Sequence, residues 1–261
     1  FRELHLGQVN LLLLWLYVLT MRAYQNDKPL WFGIILAASL FIKPFGLIII
    51  PFIILTRRYM ELMYTLVALI IIFILPFAFY PDPQNFIHLY ASWLNELSIE
   101  LANKQDLLAA GNHTMVSILI RYTPLGPLFQ DGAMRIIYQL IVLSLIALII
   151  LFFLYRRKVA DAKIRIYVVL ITLIPLLAFT ASNAFIFSLP LIVFLMFQFK
   201  NLNTFFKVLF ILSCLMIGGN IYDLVGRDLH EILWGISIYS WGAIGLLIIL
   251  FFNWNRFMIK H

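Results

Sequence analysis

Six polar residues stand out in a chain of 261 residues that is 64% hydrophobic and only 12% charged: Gln8, Asn10, Lys43, Asn112, His113 and Arg121. Lys43 lies inside the run LWFGIILAASLFIKPFGLIIIPFIIL, from Leu30 to Leu55. A lysine at bilayer depth costs on the order of 3 kcal/mol by insertion scales, so such a residue usually has a task. Its chemistry is that of a fixed cation facing an anion. Arg121 carries the same charge on a planar fork that fits phosphate. Asn112 precedes the helical run MVSILIR and is placed to cap it, and a helix N-terminus with unpaired amides attracts anions. His113 can move a proton near neutral pH or donate to a phosphate. Gln8 and Asn10, about one turn inside an apolar segment, are amides that need hydrogen bonds, from neighbouring helices or from a polar ligand. Asn112-His113-Thr114 also matches the N-glycosylation sequon.

The elements that carry these residues are apolar helices. Mean hydropathy of +0.99 and long apolar stretches indicate an integral membrane protein, an all-α polytopic bundle. Nine hydrophobic segments are expected, at about 6–22, 30–42, 45–56, 61–80, 134–155, 166–181, 184–199, 207–222 and 233–253. No repeat of 20–50 residues and no low-complexity linker divides them, so residues 1–261 read as one membrane domain. FRELHLGQVN has no signal-cleavage pattern, and a start at Phe1 is expected for the C-terminal part of a longer protein. The net charge of +7 sits in short loops between apolar segments and is no signature of nucleic-acid binding. The single Cys214 excludes an internal disulfide and a cysteine-based metal cluster, and no metal ligands are assigned.

Pro44 ends or bends a helix, so the Leu30–Leu55 run is expected to form two short helices meeting at Lys43. Loop charge sets their orientation. With the Arg57-Arg58 loop in the cytoplasm and one crossing per segment, 13 of the 19 Lys and Arg residues fall on that side. The other face receives 9 of the 12 acidic residues, a positive-inside arrangement that leaves the C-terminus cytoplasmic. It also requires two crossings between Leu30 and Leu55, which makes Lys43 extracytoplasmic. Each arm, about 12 residues or roughly 18 Å, falls short of a full span, so the turn is expected to be recessed.

One long loop, 81–133, lies on the same face. Tyr80-Pro81-Asp82-Pro83 stops the preceding helix, and Phe86, Tyr90, Trp93, Leu94, Leu97 and Leu101 then recur at helical spacing. This is an amphipathic helix, lying in the outer interface or simply packing over the bundle. Arg227, Asp228, His230 and Glu231 form another outer cluster, of the kind any charged helix end shows. Gln8, Asn10, Lys43, Asn112, His113 and Arg121 all fall on the outer face in this topology.

The order GQVN, LAASLFIKP, a dibasic RR loop, then GN-x-[ST]-x(6)-R resembles the polyprenol-phosphate-mannose-dependent mannosyltransferases, glycosyltransferase family 87, of the C-type glycosyltransferase superfamily. The likeness covers roughly Gly7 to Arg121, with His113 where the family pattern G-N-Q-S has Gln. It implies transfer of a sugar, mannose, from a polyprenyl-phosphate-linked donor to a lipid or glycan acceptor outside the cytoplasmic membrane. It further implies donor-phosphate binding by Lys43 and Arg121, and hydrogen bonds to sugar or phosphate from Gln8, Asn10 and Asn112. His113 is a further candidate for catalysis. The superfamily's base is an Asp or Glu in the first outer loop, expected upstream of Phe1. The stretch by itself would then be inactive. The rival class is a polytopic transporter or lipid-linked-sugar flippase, in which charged helix breaks also occur.

Overall fold

The computed structural model describes residues 9–79, 82–103, 111–124, 141, 145, 162–177, 182–219, 225–255 and 257. These are helical throughout, with no strand among them. The chain divides into two units, Phe1–Asp106 and Leu107–His261. Gln8 and most of the segment at 134–155 lie outside the described residues.

The first unit begins with α1 (Asn10–Gln25), which buries Leu13, Leu14, Tyr17, Thr20 and Tyr24 while Leu11, Leu12, Trp15 and Val18 face outward. α2 (Pro29–Ile42) starts at a proline, whose missing N–H costs nothing at the first helical position. It packs against α1 and, very closely, against α4 (Tyr59–Ile74). Gly33 permits that approach: a Cβ there would lie 2.5 Å from the Tyr64 Cβ and 2.6 Å from its carbonyl carbon.

At Lys43 the helix stops. The residue is extended, with φ −149° and ψ 132°, because the pyrrolidine ring of Pro44 disfavours helical geometry in the residue before it. A 3-10 turn (Pro44–Ile49) follows and passes into α3 (Ile50–Leu55). The hairpin read from the sequence is therefore present, with its second arm begun as 3-10 helix. Tyr17, fully buried, packs beside Ser39 and Gly46 at the turn.

The opposite end of the hairpin is clasped by Arg58. Its Nη1 meets Asp27 Oδ1 at 2.5 Å and Glu61 Oε1 at 3.1 Å, and the guanidinium lies 4.9 Å from the centre of the Tyr24 ring. Glu61 is 2% exposed, a depth at which a carboxylate requires such a partner.

α4 is inside out by the standards of a water-soluble protein. Glu61, Thr65 and Ala68 are its buried residues, whereas Met60, Met63, Leu66, Val67, Ile70, Ile71 and Ile74 are exposed. So much contiguous apolar surface suits a lipid environment. Together with the 3-10 turn Leu75–Ala78, α4 is long and apolar enough to cross a membrane. Among the described residues it is the one helix that passes this test, or one of two if the bent pair 227–253 counts as a single span. The other apolar helices among the described residues are shorter, so nine full-length spans are not shown there.

α5 (Pro83–Asn103) ends the first unit. Its early turns dock through aromatic rings: Tyr90 stacks on Phe73 at 4.1 Å and donates its hydroxyl to the Phe73 carbonyl at 2.6 Å. Phe86 meets Phe77 edge-on, and Trp93 stacks on Phe41 at 6.4 Å. Packing over the other helices is thus realised, while Ile87, Leu89 and Leu94 remain exposed.

In the second unit, α7 (Ala162–Leu177) is buried on every side from Arg165 to Leu176, as expected of a helix apolar around its whole circumference. A 3-10 segment (Ser182–Ser188) and α8 (Leu189–Phe197) pack on it. α9 (Thr204–Gly218) lies tightly along α11 (Ile238–Asn253), where Gly242 leaves room: a Cβ would lie 2.8 Å from the Ser213 carbonyl oxygen. α10 (Arg227–Gly235) precedes α11 and is bent from it by 58°. The apolar segment expected at 233–253 therefore includes a helix break. Fully buried Arg165 donates from Nη1 to the Trp254 carbonyl at 2.5 Å and from Nη2 to that of Phe257, capping the end of α11.

Candidate functional sites

In the first unit, Lys43 and Asn10 come together. The Lys43 ammonium donates to Asn10 Oδ1 across 3.4 Å and lies 5.6 Å from the centre of the Phe45 ring. Asn10 is 3% exposed and opens α1, so two elements 33 residues apart fix one cation beside a helix start. The contact is made by the ammonium itself, so Asn10 directs the charge rather than the aliphatic stem. Gln8 lies outside the described residues.

In the second unit, a short segment builds a dense polar turn. Asn112 Oδ1 accepts from the Thr114 amide at 3.1 Å and from the Thr114 hydroxyl at 2.9 Å. Thr114 Oγ1 in turn accepts from the Ser117 amide at 3.2 Å, which makes Thr114 the N-cap of α6 (Met115–Tyr122). The cap expected at Asn112 thus falls two residues later. The carbonyl of Asn112 also receives the Ser117 hydroxyl at 3.0 Å, and the residue is only 8% exposed, which disfavours its modification by a glycan.

His113 is fully buried. Its ring lies edge-on to Trp234 and Tyr239, each at 5.2 Å, and to Phe185 at 6.2 Å. Its backbone carbonyl accepts from Ser240 Oγ at 2.5 Å, whereas neither ring nitrogen has a hydrogen-bond partner among the described residues. Burial, and secondarily the charge of Arg121, push its pKa down to about 4, so the imidazole is neutral at pH 7. The structure therefore makes His113 a packed, uncharged ring.

Arg121, in the last turn of α6, reaches the break between α10 and α11. Its Nη1 donates to the Gly235 carbonyl at 3.0 Å and to Ser237 Oγ at 2.7 Å. Sequence reasoning missed Gly235, Ser237, Trp234 and Tyr239 altogether. The only local sign was the Gly-Ile-Ser step inside an apolar run, next to an amphipathic stretch too polar to continue a span. The charged cluster lies on α10, where Arg227 pairs with Glu231 one turn on at 2.8 Å, both well exposed.

Each unit thus presents a cation at a helix break, Lys43 in one and Arg121 in the other. A cation fixed in this way is suited to an anionic group that needs charge stabilisation where water is scarce. No curated protein and no solved structure matches the chain. The model of glycosyltransferase family 87 matches residues 1–180, more than half of its length, and the chain belongs to that family.

Proposed function

We propose that this member of glycosyltransferase family 87 transfers a sugar, mannose, from a polyprenyl-phosphate-linked donor to a lipid or glycan acceptor at the extracytoplasmic face of the cytoplasmic membrane. The observation that carries the reading is Lys43, a cation held by Asn10 at a proline-made break in an apolar helix. The inverted polarity of α4 and the positive-inside loop charges support a multi-pass membrane setting with that break outside. In the reaction the acceptor hydroxyl oxygen bonds to the anomeric carbon while the bond from that carbon to the phosphate oxygen breaks. The electron pair leaves with polyprenyl phosphate, and the hydroxyl proton passes to a base.

Lys43 and Arg121 act on the leaving group, where negative charge grows as the glycosidic bond breaks. Asn10 orients Lys43, and Asn112 shapes the turn that leads into α6. His113, neutral and enclosed, is a poor base near neutral pH and serves instead to pack Trp234 and Tyr239 beside the turn. Docking of α5 through Tyr90 and Trp93 suits a helix at headgroup depth, beside a donor that is itself half in the membrane.

The test is transfer of labelled mannose from polyprenyl-phosphate mannose in membranes containing the full-length protein. The proposal expects transfer by wild type and a fall of about a hundredfold in Lys43→Ala. Equal transfer by both would remove Lys43 from the mechanism. Movement of the donor across sealed vesicles with no transfer would establish a flippase instead.

A further inference from the structure

Ser237 combines three features that ordinary helix capping leaves unexplained. It has φ +58° and ψ 45°, left-handed geometry that costs a non-glycine residue on the order of 1 kcal/mol. It is fully buried. It is also the N-cap of α11, yet its hydroxyl makes no cap hydrogen bond. Thr114 and Asn203 show the usual arrangement, accepting from the amide three residues on, Ser117 at 3.2 Å and Phe206 at 2.9 Å. The oxygen of Ser237 is turned away from its own helix to Arg121, 116 residues earlier in the chain.

The backbone of Ser237 joins the two helices. Its amide donates to the Trp234 carbonyl at 3.0 Å, closing α10, while its carbonyl accepts from the amides of Ser240 and Trp241, opening α11. Arg121 Nη1 carries two protons, one directed to Gly235 O and one to Ser237 Oγ. Two acceptors at one nitrogen help to fix the plane of the guanidinium and hold its charge beside the break.

We infer that Ser237 is a positioning residue for sugar transfer: its left-handed turn and diverted hydroxyl aim Arg121 at the anionic leaving group. The inference rests on the proposed role of Arg121 at the donor phosphate. It identifies the break between α10 and α11 as part of the reaction's machinery, although no charged side chain lies within the break itself.

The experiment uses full-length protein in lipid nanodiscs. It measures KM and kcat with the polyprenyl-phosphate sugar, Kd for sugar-free polyprenyl phosphate, and thermal stability. Ser237→Gly keeps the left-handed turn and removes the hydroxymethyl group with its oxygen. Ser237→Asn tolerates the same turn and restores an oxygen acceptor. The inference expects Ser237→Gly to raise both KM and Kd about tenfold with kcat changed much less, as loss of a hydrogen bond to a charged group implies. Ser237→Asn should recover most of the loss. In an Arg121→Gln background, Ser237→Gly should add nothing further.

If Arg121→Gln weakens binding but Ser237→Gly binds like wild type, the positioning role is overturned while the reading of Arg121 stands. Additive effects of the two substitutions, without rescue by Asn, would show a merely structural serine and overturn it as well. If Arg121→Gln itself binds and transfers normally, the role of Arg121 falls, and the inference with it. If Ser237→Gly does not fold, the same comparison between Ser237→Ala and Ser237→Asn decides.

Discussion

Lys43 and Arg121 solve one problem in opposite ways. Both place a cation where a helix is interrupted, but the break at Lys43 is written into two adjacent residues. Pro44 forces Lys43 out of helical geometry whatever the rest of the chain does. No proline interrupts the chain between α10 and α11. There the 58° bend coincides with a strained serine and with an arginine arriving from 114 to 116 residues away. A covalent break survives loss of its cation. A break held by tertiary contacts should feel that loss in its own fold.

The largest effects test this directly. Lys43→Ala and Arg121→Gln should each lower transfer about a hundredfold, the range measured when one charge-stabilising donor is removed. Thermal stability should separate them. Lys43→Ala should unfold near the wild-type temperature, whereas Arg121→Gln leaves the Gly235 carbonyl short of a donor and should cost about 1–3 kcal/mol. Equal unfolding temperatures would end the distinction.

Acid offers the next contrast. His113 is neutral in the folded protein, with a pKa near 4, while in the unfolded chain it titrates near 6.5. The unfolded state therefore takes up the proton first. Stability is unaffected above about pH 6.5 and falls as pH drops toward 4, by roughly 3 kcal/mol for that shift. The one described histidine of the first unit, His88, is exposed. Amide exchange should thus show the second unit loosening first at pH 5. His113→Gln, which restores the residue that the family pattern leads one to expect, should flatten the pH dependence.

Glycine packing should show no such asymmetry. Gly33→Ala and Gly242→Ala each drive a Cβ into a neighbouring helix and should cost a similar 1–3 kcal/mol, read from denaturation of the purified variants. Smaller still is Asp27→Asn at the Arg58 clasp. Asp27 is 73% exposed, so its loss should cost under about 1 kcal/mol, whereas Glu61 beside it is nearly enclosed. A large loss in Asp27→Asn would mean that the clasp acts as one cooperative unit.

The same difference between local and distant causes decided how much was legible beforehand. The Lys43 turn could be read because lysine and proline act on their own backbone. The cap before α6 was misplaced by two residues because Asn112 and Thr114 are both good caps, and only their mutual hydrogen bonds rank them. The enclosure of His113 was not legible because its neighbours Phe185, Trp234 and Tyr239 lie 72 or more residues away in sequence. Ser237 gave only the faint sign of the Gly-Ile-Ser step, since nothing next to it in the chain asks for a left-handed turn.

The Arg165 cap sets a condition on how the chain is made. Its acceptors, the carbonyls of Trp254 and Phe257, are synthesised 89 and 92 residues after it. At a synthesis rate of about 5–20 residues per second, the guanidinium waits several seconds in a growing membrane domain for its partners. Chains stopped before Trp254 lack both of these acceptors for the Arg165 guanidinium. They should be the form of this protein that quality control removes most readily.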